Sequence, residues 1–149
     1  MRPIKKILAP IDFTEASNAS LDYAMSLAAG LGAIVSIVHV YQIPVYGFPD
    51  GAIVTSSKLA TELSEKAQQN LDNVVHAHKR RGVPVVGILV NGFASEEIVR
   101  LAEIEKADLI VIGTHGRRGL SRALLGSVAE QVIRTSPVPV LAVRGRHEP

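Results

Sequence analysis

A glycine-rich segment in the last third of the chain contains the residue types that most clearly suggest chemistry. Gly113, Gly116 and Gly119 stand at intervals of three, and the pair Gly126 and Ser127 follows at the predicted start of a helix. Glycine lets the backbone take positive φ, and it lets main-chain N–H groups approach an anion closely. The Ser127 hydroxyl and the N–H groups of the first helical turn would add a second anion contact. The spacing therefore indicates a phosphate site.

The same segment concentrates positive charge. Arg117, Arg118 and Arg122 lie between Gly116 and Gly126 without an acidic residue, in a chain whose net charge is only +2. Glycines in such a connection are also common as turn residues, and loop arginines are often merely solvated, so the spacing alone leaves a plain loop as the alternative. No Gly-Lys-Ser or Gly-Lys-Thr follows the last glycine, and no G-x-G-x-x-G follows the first predicted strand, which excludes the P-loop and the dinucleotide fingerprint.

The elements that must position this segment alternate along the chain. Short β-branched runs predict strands, and apolar residues at helical spacing predict helices between them. The predicted strands are residues 7–11, 34–41, 83–90, 108–112 and 138–143, and the predicted helices are about residues 16–31, 56–81, 95–105 and 127–135. Residues 42–51, which are rich in proline and glycine, are predicted to form a loop.

This alternation predicts the fold class α/β, a single-domain, Rossmann-like, doubly wound sandwich with a five-stranded parallel sheet and helices on both faces. In such sheets the ligand binds outside the carboxyl ends of the strands, where the strand order reverses. A strand order of 3-2-1-4-5 would bring Asp12, after the first strand, next to the glycine-rich segment. The order 2-1-3-4-5 stays an alternative at this point.

Composition excludes several other classes of protein. The 149 residues fit one domain, and 47% hydrophobic against 20% charged residues indicate a packed core. The absence of cysteine excludes disulfide scaffolds, thiolate metal sites and a cysteine nucleophile, and it is compatible with the cytoplasm. No segment approaches the roughly 18 apolar residues of a membrane span, so we expect no membrane insertion. Lys79, Arg80 and Arg81 end a predicted helix, where the helix dipole favours cations, so we expect no nucleic acid partner.

These residues resemble the ATP-binding branch of the universal stress protein (UspA-like) family. The family's ATP-binding motif is matched by Gly113, two residues, Gly116, nine residues and then Gly126 and Ser127. The resemblance also covers residues 7–12 (ILAPID), 108–113 (DLIVIG) and 137–143 (PVPVLAV), and so spans essentially the whole chain. It implies the strand order 3-2-1-4-5 and an ATP site at the carboxyl ends of the first and fourth strands.

The resemblance also implies a role for each residue of the site. Pro10, Ile11 and Asp12 would line the adenine and ribose side, and Val40 would contact adenine. The ribose and the first phosphates would be wrapped by Gly113, Thr114, His115, Gly116, Arg117, Arg118 and Gly119. The distal phosphates would lie against Gly126, Ser127 and Val128. Mg²⁺ would be held mainly by the phosphates, because the sequence has no dedicated carboxylate cluster, and we expect no metal site made of protein ligands.

The favoured hypothesis is an ATP-dependent regulator or sensor in the stress response rather than an enzyme. No Ser-His-Asp set can be assembled from the sequence, and no base is placed to activate water, so we expect no catalytic residues. A slow ATPase or autophosphorylating protein is one alternative, with His115 as proton carrier, although a hydrogen-bonding loop histidine is the simpler interpretation. A nucleotide-independent interaction module is the other. Asp12 is interpreted as a helix cap, a ligand contact or both, and His39 as a core or sheet-edge residue.

The fifth predicted strand suggests a partner. In the order 3-2-1-4-5, residues 138–143 form an edge, yet they are almost wholly apolar, and an exposed apolar edge promotes aggregation unless it is covered. Pro139 suits an edge strand, because proline has no N–H to donate to a ladder. We therefore expect a homodimer paired through this strand, which the family resemblance also implies.

Overall fold

The chain alternates strands and helices, as the computed structural model shows for residues 2–51, 53–54, 56–79, 82–115 and 124–145. In chain order the elements are β1 (Lys6–Pro10), α1 (Glu15–Leu31), β2 (Ile34–Tyr41), β3 (Tyr46–Gly47), β4 (Ile53–Val54), α2 (Ser57–Lys79), β5 (Val85–Asn91), α3 (Ala94–Ile104), β6 (Leu109–Gly113), α4 (Ser127–Thr135) and β7 (Val140–Val143). The α/β class predicted from the sequence is therefore confirmed.

Five of the strands form one parallel sheet in the order β5-β2-β1-β6-β7. These are the five predicted strands, so the order 3-2-1-4-5 is confirmed and the alternative 2-1-3-4-5 is excluded. The loop predicted for residues 42–51 needs a correction, because Tyr46–Gly47 pairs antiparallel with Ile53–Val54. Pro44 and Pro49, which are breakers on either side of β3, concealed this two-residue strand.

Helices cover both faces of the sheet, which makes the sandwich doubly wound. On β1, Ile7 packs in one apolar cluster with residues of α1 and α2, while Leu8 packs in a second cluster with residues of α3 and α4. Both side chains are fully buried. Parallel strands that are buried on both faces need aliphatic residues at successive positions, which explains the bias of the composition toward valine, isoleucine and leucine.

Helix α2 is longer than the sheet beneath it. Its 23 residues span about 34 Å at 1.5 Å per residue, whereas the seven residues of β5 span about 23 Å. Its buried residues, Ala67, Leu71 and Val75, begin only at the middle of the helix, and none lies in its first ten residues. Since α2 runs antiparallel to the strands it connects, its first turns project beyond the carboxyl edge of the sheet.

Candidate functional site

A cleft of about 750 Å³ opens at the carboxyl edge of the sheet, where β1 lies between β2 and β6. The strand order reverses at this point, which is the place where doubly wound sheets bind ligands. Ten of the residues predicted for the site line this cleft: Pro10, Ile11, Asp12, Val40, Gly113, Thr114, His115, Gly126, Ser127 and Val128. The other four, Gly116, Arg117, Arg118 and Gly119, lie outside the described residues, as does Arg122.

The turn from β1 into α1 is fixed by hydrogen bonds between short side chains. Thr14 is the N-cap of α1, and its hydroxyl accepts a hydrogen bond from the N–H of Ser17 at 3.3 Å. Asp12 Oδ1 accepts hydrogen bonds from the N–H and the hydroxyl of Thr14, and the N–H of Asp12 donates to Ser17 Oγ at 3.2 Å. Thr14 is therefore the cap, and Asp12 orients it while lining the cleft.

Phe13 and His39 form the base of this turn, and the sequence interpretation assigned neither to the site. Phe13 has a φ of 62°, a left-handed conformation that costs of order 1–2 kcal/mol for a residue with a Cβ. Its ring lies against the imidazole of His39, with 4.3 Å between ring centroids. His39 Nδ1 donates a 2.9 Å hydrogen bond to the carbonyl of Ile11, and the side chain is buried. Both residues line the cleft.

The end of β6 comes close to α1. A Cβ built on Gly113 would lie 3.2 Å from the carbonyl oxygen of Ala16 and 3.5 Å from Ser20 Oγ. Glycine at this position therefore allows the close approach of α1 to β6, rather than supplying a positive φ as the sequence interpretation supposed. The N–H of Thr114 then donates to Val143 of β7 at 3.0 Å, which holds the start of the glycine-rich segment against the sheet.

His115 follows on the same segment. Its Nδ1 is 2.9 Å from the Thr114 hydroxyl. Its Nε2 is buried and has no hydrogen-bond partner within the part of the chain that the structure describes. His115 Nε2 therefore lies at the cleft wall, where a ligand or a water molecule could form a hydrogen bond with it.

Helix α4 points its amino terminus into the cleft. Its N-cap is Gly126, which is buried and has no side chain to accept a hydrogen bond from the first turn. The N–H of Gly126 donates to the carbonyl of Thr114 at 2.7 Å, so the two halves of the predicted anion site are joined directly. The first N–H groups of a helix have no intrahelical acceptor, and the helix dipole adds about half a positive charge. This end of the cleft is built for an anion.

The wall opposite is supplied by α2, none of whose residues was predicted to belong to the site. Leu63, Lys66, Ala67 and Asn70 recur at helical spacing and line the cleft. Leu63 and Ala67 lie one turn apart on the apolar face of the helix. The length of the helix could have indicated this wall, because a helix that is longer than the strands it connects must extend beyond the edge of the sheet.

Two further observations concern other sites. None of the helices within the described ranges is long and apolar enough to cross a membrane. Among those same residues there is no group of three or more His, Asp or Glu side chains placed to hold a metal ion.

Comparisons with known proteins identify the family. The model of the universal stress protein family matches residues 3–144. A universal stress protein of Methanocaldococcus jannaschii is 39% identical over 142 residues, which are 94% of this chain and 82% of the relative. The solved structure of a second protein from that organism is 30% identical, with a TM-score of 0.81, and the match covers 99% of this chain and 100% of that one.

Two more distant structures share the fold. A universal stress protein solved in complex with cAMP is 24% identical, with a TM-score of 0.73 over 97% of this chain and 100% of that one. A universal stress protein of Archaeoglobus fulgidus in complex with dAMP is 24% identical, with a TM-score of 0.66 over 95% and 98% of the two chains. Because the family model covers residues 3–144 and a relative is 39% identical over 142 residues, the chain belongs to the universal stress protein family.

Proposed function

We propose that this protein binds ATP in the cleft, with Mg²⁺ held by the phosphates, and acts as a nucleotide-dependent regulator in the stress response. One observation carries the proposal. A single cleft joins the uncapped amino terminus of α4, which suits phosphates, to the half-buried end of β2, which suits a base. The two family structures that hold cAMP and dAMP support an adenine nucleotide as the ligand class.

The phosphate end of the site combines two sources of attraction. The main-chain N–H groups of Ser127 and Val128 face the cleft without a side-chain cap. Arg117, Arg118 and Arg122 belong to the connection that leads into α4 and bring three positive charges to it in sequence. Glycine at the N-cap leaves space where serine or aspartate would compete with a phosphate oxygen for the same N–H groups.

The base end of the site is the backbone of Val40. Pairing between β1 and β2 ends at Pro10 and Val38, so β2 continues three residues beyond its neighbour. Alternate residues of a parallel strand direct N–H and C=O to the same side, and the carbonyl of Val38 accepts from Ile11 on the β1 side. Val40 therefore directs its N–H and C=O to that side too, where β1 has ended and the cleft begins.

The proposal makes the protein a binder rather than an enzyme. Asp12 is the only carboxylate among the described residues that line the cleft, and it already orients the cap of α1. Slow hydrolysis of ATP or autophosphorylation, with His115 as proton carrier, is the alternative supported by the unsatisfied Nε2. Phosphate release at saturating ATP and Mg²⁺, followed for hours, separates the two, because a regulator releases no phosphate above the rate of the buffer control.

A homodimer through β7 is part of the proposal. This strand is an edge of the sheet, and its residues are half-buried or exposed although all are apolar. The carbonyls of Pro139 and Val143 accept from the N–H groups of Ile110 and Thr114, so by alternation Val140 and Ala142 direct their N–H and C=O groups away from the sheet. A second copy of the strand would satisfy these groups, and light scattering at micromolar concentration checks for twice the 15.9 kDa mass.

The decisive test of the nucleotide proposal is calorimetric titration of the purified chain with ATP, with and without Mg²⁺. We expect one site per chain and tighter binding with Mg²⁺. Mass spectrometry of the freshly purified protein, after heat release, checks for a resident adenine nucleotide. A chain that takes up no ATP at millimolar concentration and carries no nucleotide defeats the proposal in favour of a nucleotide-independent module. The proposed compartment is the cytoplasm, which the absence of cysteine fits.

A further inference from the structure

A buried histidine lies directly beneath the base end of the cleft. His39 is one of four buried polar residues in the described chain, and the other three are serines. It faces the side of the sheet that carries α1 and α2, and yet its hydrogen bond goes to Ile11, at the point where β1 leaves the sheet. A buried histidine needs a hydrogen-bond partner, and the partner of His39 is a backbone carbonyl at the end of β1.

The carbonyl of Ile11 is the group that would continue the β1–β2 ladder. The last bond of the ladder runs from the N–H of Ile11 to the carbonyl of Val38, at 2.8 Å. In a parallel ladder the carbonyl of Ile11 would next accept from the N–H of Val40. Instead, His39 Nδ1 donates to that carbonyl at 2.9 Å. Within the described residues, no backbone hydrogen bond joins Val40 to Ile11.

We propose that His39 is a positioning residue for base recognition: by binding the Ile11 carbonyl it ends the ladder and leaves the backbone of Val40 open to read the nucleotide base. The inference rests on the proposed nucleotide function. Because a carbonyl only accepts, the proton lies on Nδ1. The ring of Phe13, 4.3 Å away, packs on the imidazole and keeps it in this orientation.

The open backbone of Val40 selects between purines. Its N–H is a donor and its C=O an acceptor on the same strand edge. The Watson–Crick edge of adenine offers an acceptor at N1 and a donor at the 6-amino group, which is the matching pattern. Guanine carries a donor at N1 and an acceptor at O6, which is the reversed pattern and would leave both pairs of groups mismatched. His39 thus acts on the preference for adenine without contacting the base.

Three substitutions separate this role from simple packing. In His39→Asn, the amide nitrogen is as many bonds from Cα as Nδ1 is, so the donor to Ile11 is kept. In His39→Gln the donor is moved one bond outward, and in His39→Leu it is lost. Dissociation constants for ATP and GTP are measured for each variant, together with the unfolding temperature. We expect the ATP-to-GTP preference to fall at least fivefold in the Leu and Gln variants, the worth of about one hydrogen bond, and to stay within about twofold in the Asn variant.

Hydrogen exchange at single amides tests the positioning without any nucleotide. In the parent, the Val40 amide should exchange at least tenfold faster than the Val38 amide, which lies inside the ladder. In the Leu and Gln variants, the freed Ile11 carbonyl should accept from Val40 and slow its exchange. An ATP-to-GTP preference that is unchanged in these variants, while their unfolding temperature falls, overturns the proposal. If the parent binds neither nucleotide, the proposed function fails, and an unaltered Val40 exchange rate in the variants overturns the positioning role separately.

Discussion

Placing a negative charge at the first residue of α4 should weaken nucleotide binding without weakening the helix. Ser127 is exposed, lines the cleft and is the first residue of α4. In Ser127→Asp, the new carboxylate would lie at the positive end of the helix dipole, which favours folding by about 0.3–1 kcal/mol. The same carboxylate would occupy the place proposed for the phosphates. Stability and binding should therefore move in opposite directions, which loss of packing cannot produce.

The size of the binding loss follows from Coulomb's law. Two unit negative charges about 4 Å apart repel by about 1 kcal/mol in bulk water and by about 4 kcal/mol at the effective dielectric of a protein surface. These limits correspond to losses of roughly fivefold and nearly a thousandfold in affinity. The N-terminal turn is buried at Gly126 and exposed at Ser127, which places the site between the two limits. We expect a loss of at least tenfold.

The assay is calorimetric titration with ATP alongside thermal unfolding, and the chain offers a matched control. Ser57 is likewise an exposed serine and the first residue of a helix, α2, and does not line the cleft. Ser57→Asp should keep the ATP affinity of the parent. An ATP affinity of Ser127→Asp within twofold of the parent would place the phosphates elsewhere. Equal losses in both variants would show a general effect of charge rather than contact at α4.

Three other substitutions test the parts around the cleft. Gly113→Val forces a side chain against Ala16 and should lower the free energy of unfolding by about 1–3 kcal/mol. The unfolding temperature should then fall by about 2–4 °C per kcal/mol, and ATP should bind more weakly. Gly30→Ala is the control, because nothing lies within 4 Å of its added Cβ, and it should change neither property. Thr14→Ala removes the cap of α1 and should cost about 1 kcal/mol in a denaturant titration, and Thr14→Ser should restore most of it. Ala142→Pro removes an outward N–H of β7 and should shift the dimer to monomer in light scattering, whereas Ala142→Val should not; a dimeric proline variant would exclude pairing through this edge.

Much of the fold could be predicted because its causes are local. Runs of β-branched residues that alternate with helical patterns predict a parallel sheet, for which few strand orders are possible. Asp12 and Gly113, at the ends of two strands, then suggested that these two strands are neighbours. The two-residue pairing of Tyr46–Gly47 with Ile53–Val54 was not predictable, because strands that short have no period to detect.

The site was predictable only where a motif stood in the sequence. The glycines and Ser127 were recognised by their spacing, whereas Phe13 and His39 contact each other across 26 positions of sequence. Nothing local marks such a pair, since a phenylalanine with a φ of 62° has no sequence signature of its own. The role of Gly113 was assigned to backbone freedom, although packing against Ala16 is what requires it. Sequence spacing identified the glycines, but their roles and the Phe13–His39 contact depend on residues that are distant in the sequence.

The cleft itself follows from how the central strand ends. Pairing of β1 with β6 is limited to Ile7 and Leu8, and the next bond on that side would be donated by residue 10, which is a proline without an N–H. On the other side, the carbonyl that would continue the β1–β2 ladder is held by His39. On the β6 side the ladder lacks a donor at Pro10, and on the β2 side the proposed role of His39 is to occupy the acceptor that would continue it. With β1 released from both, the chain turns away at Asp12, and the space between β2 and β6 is left for a ligand.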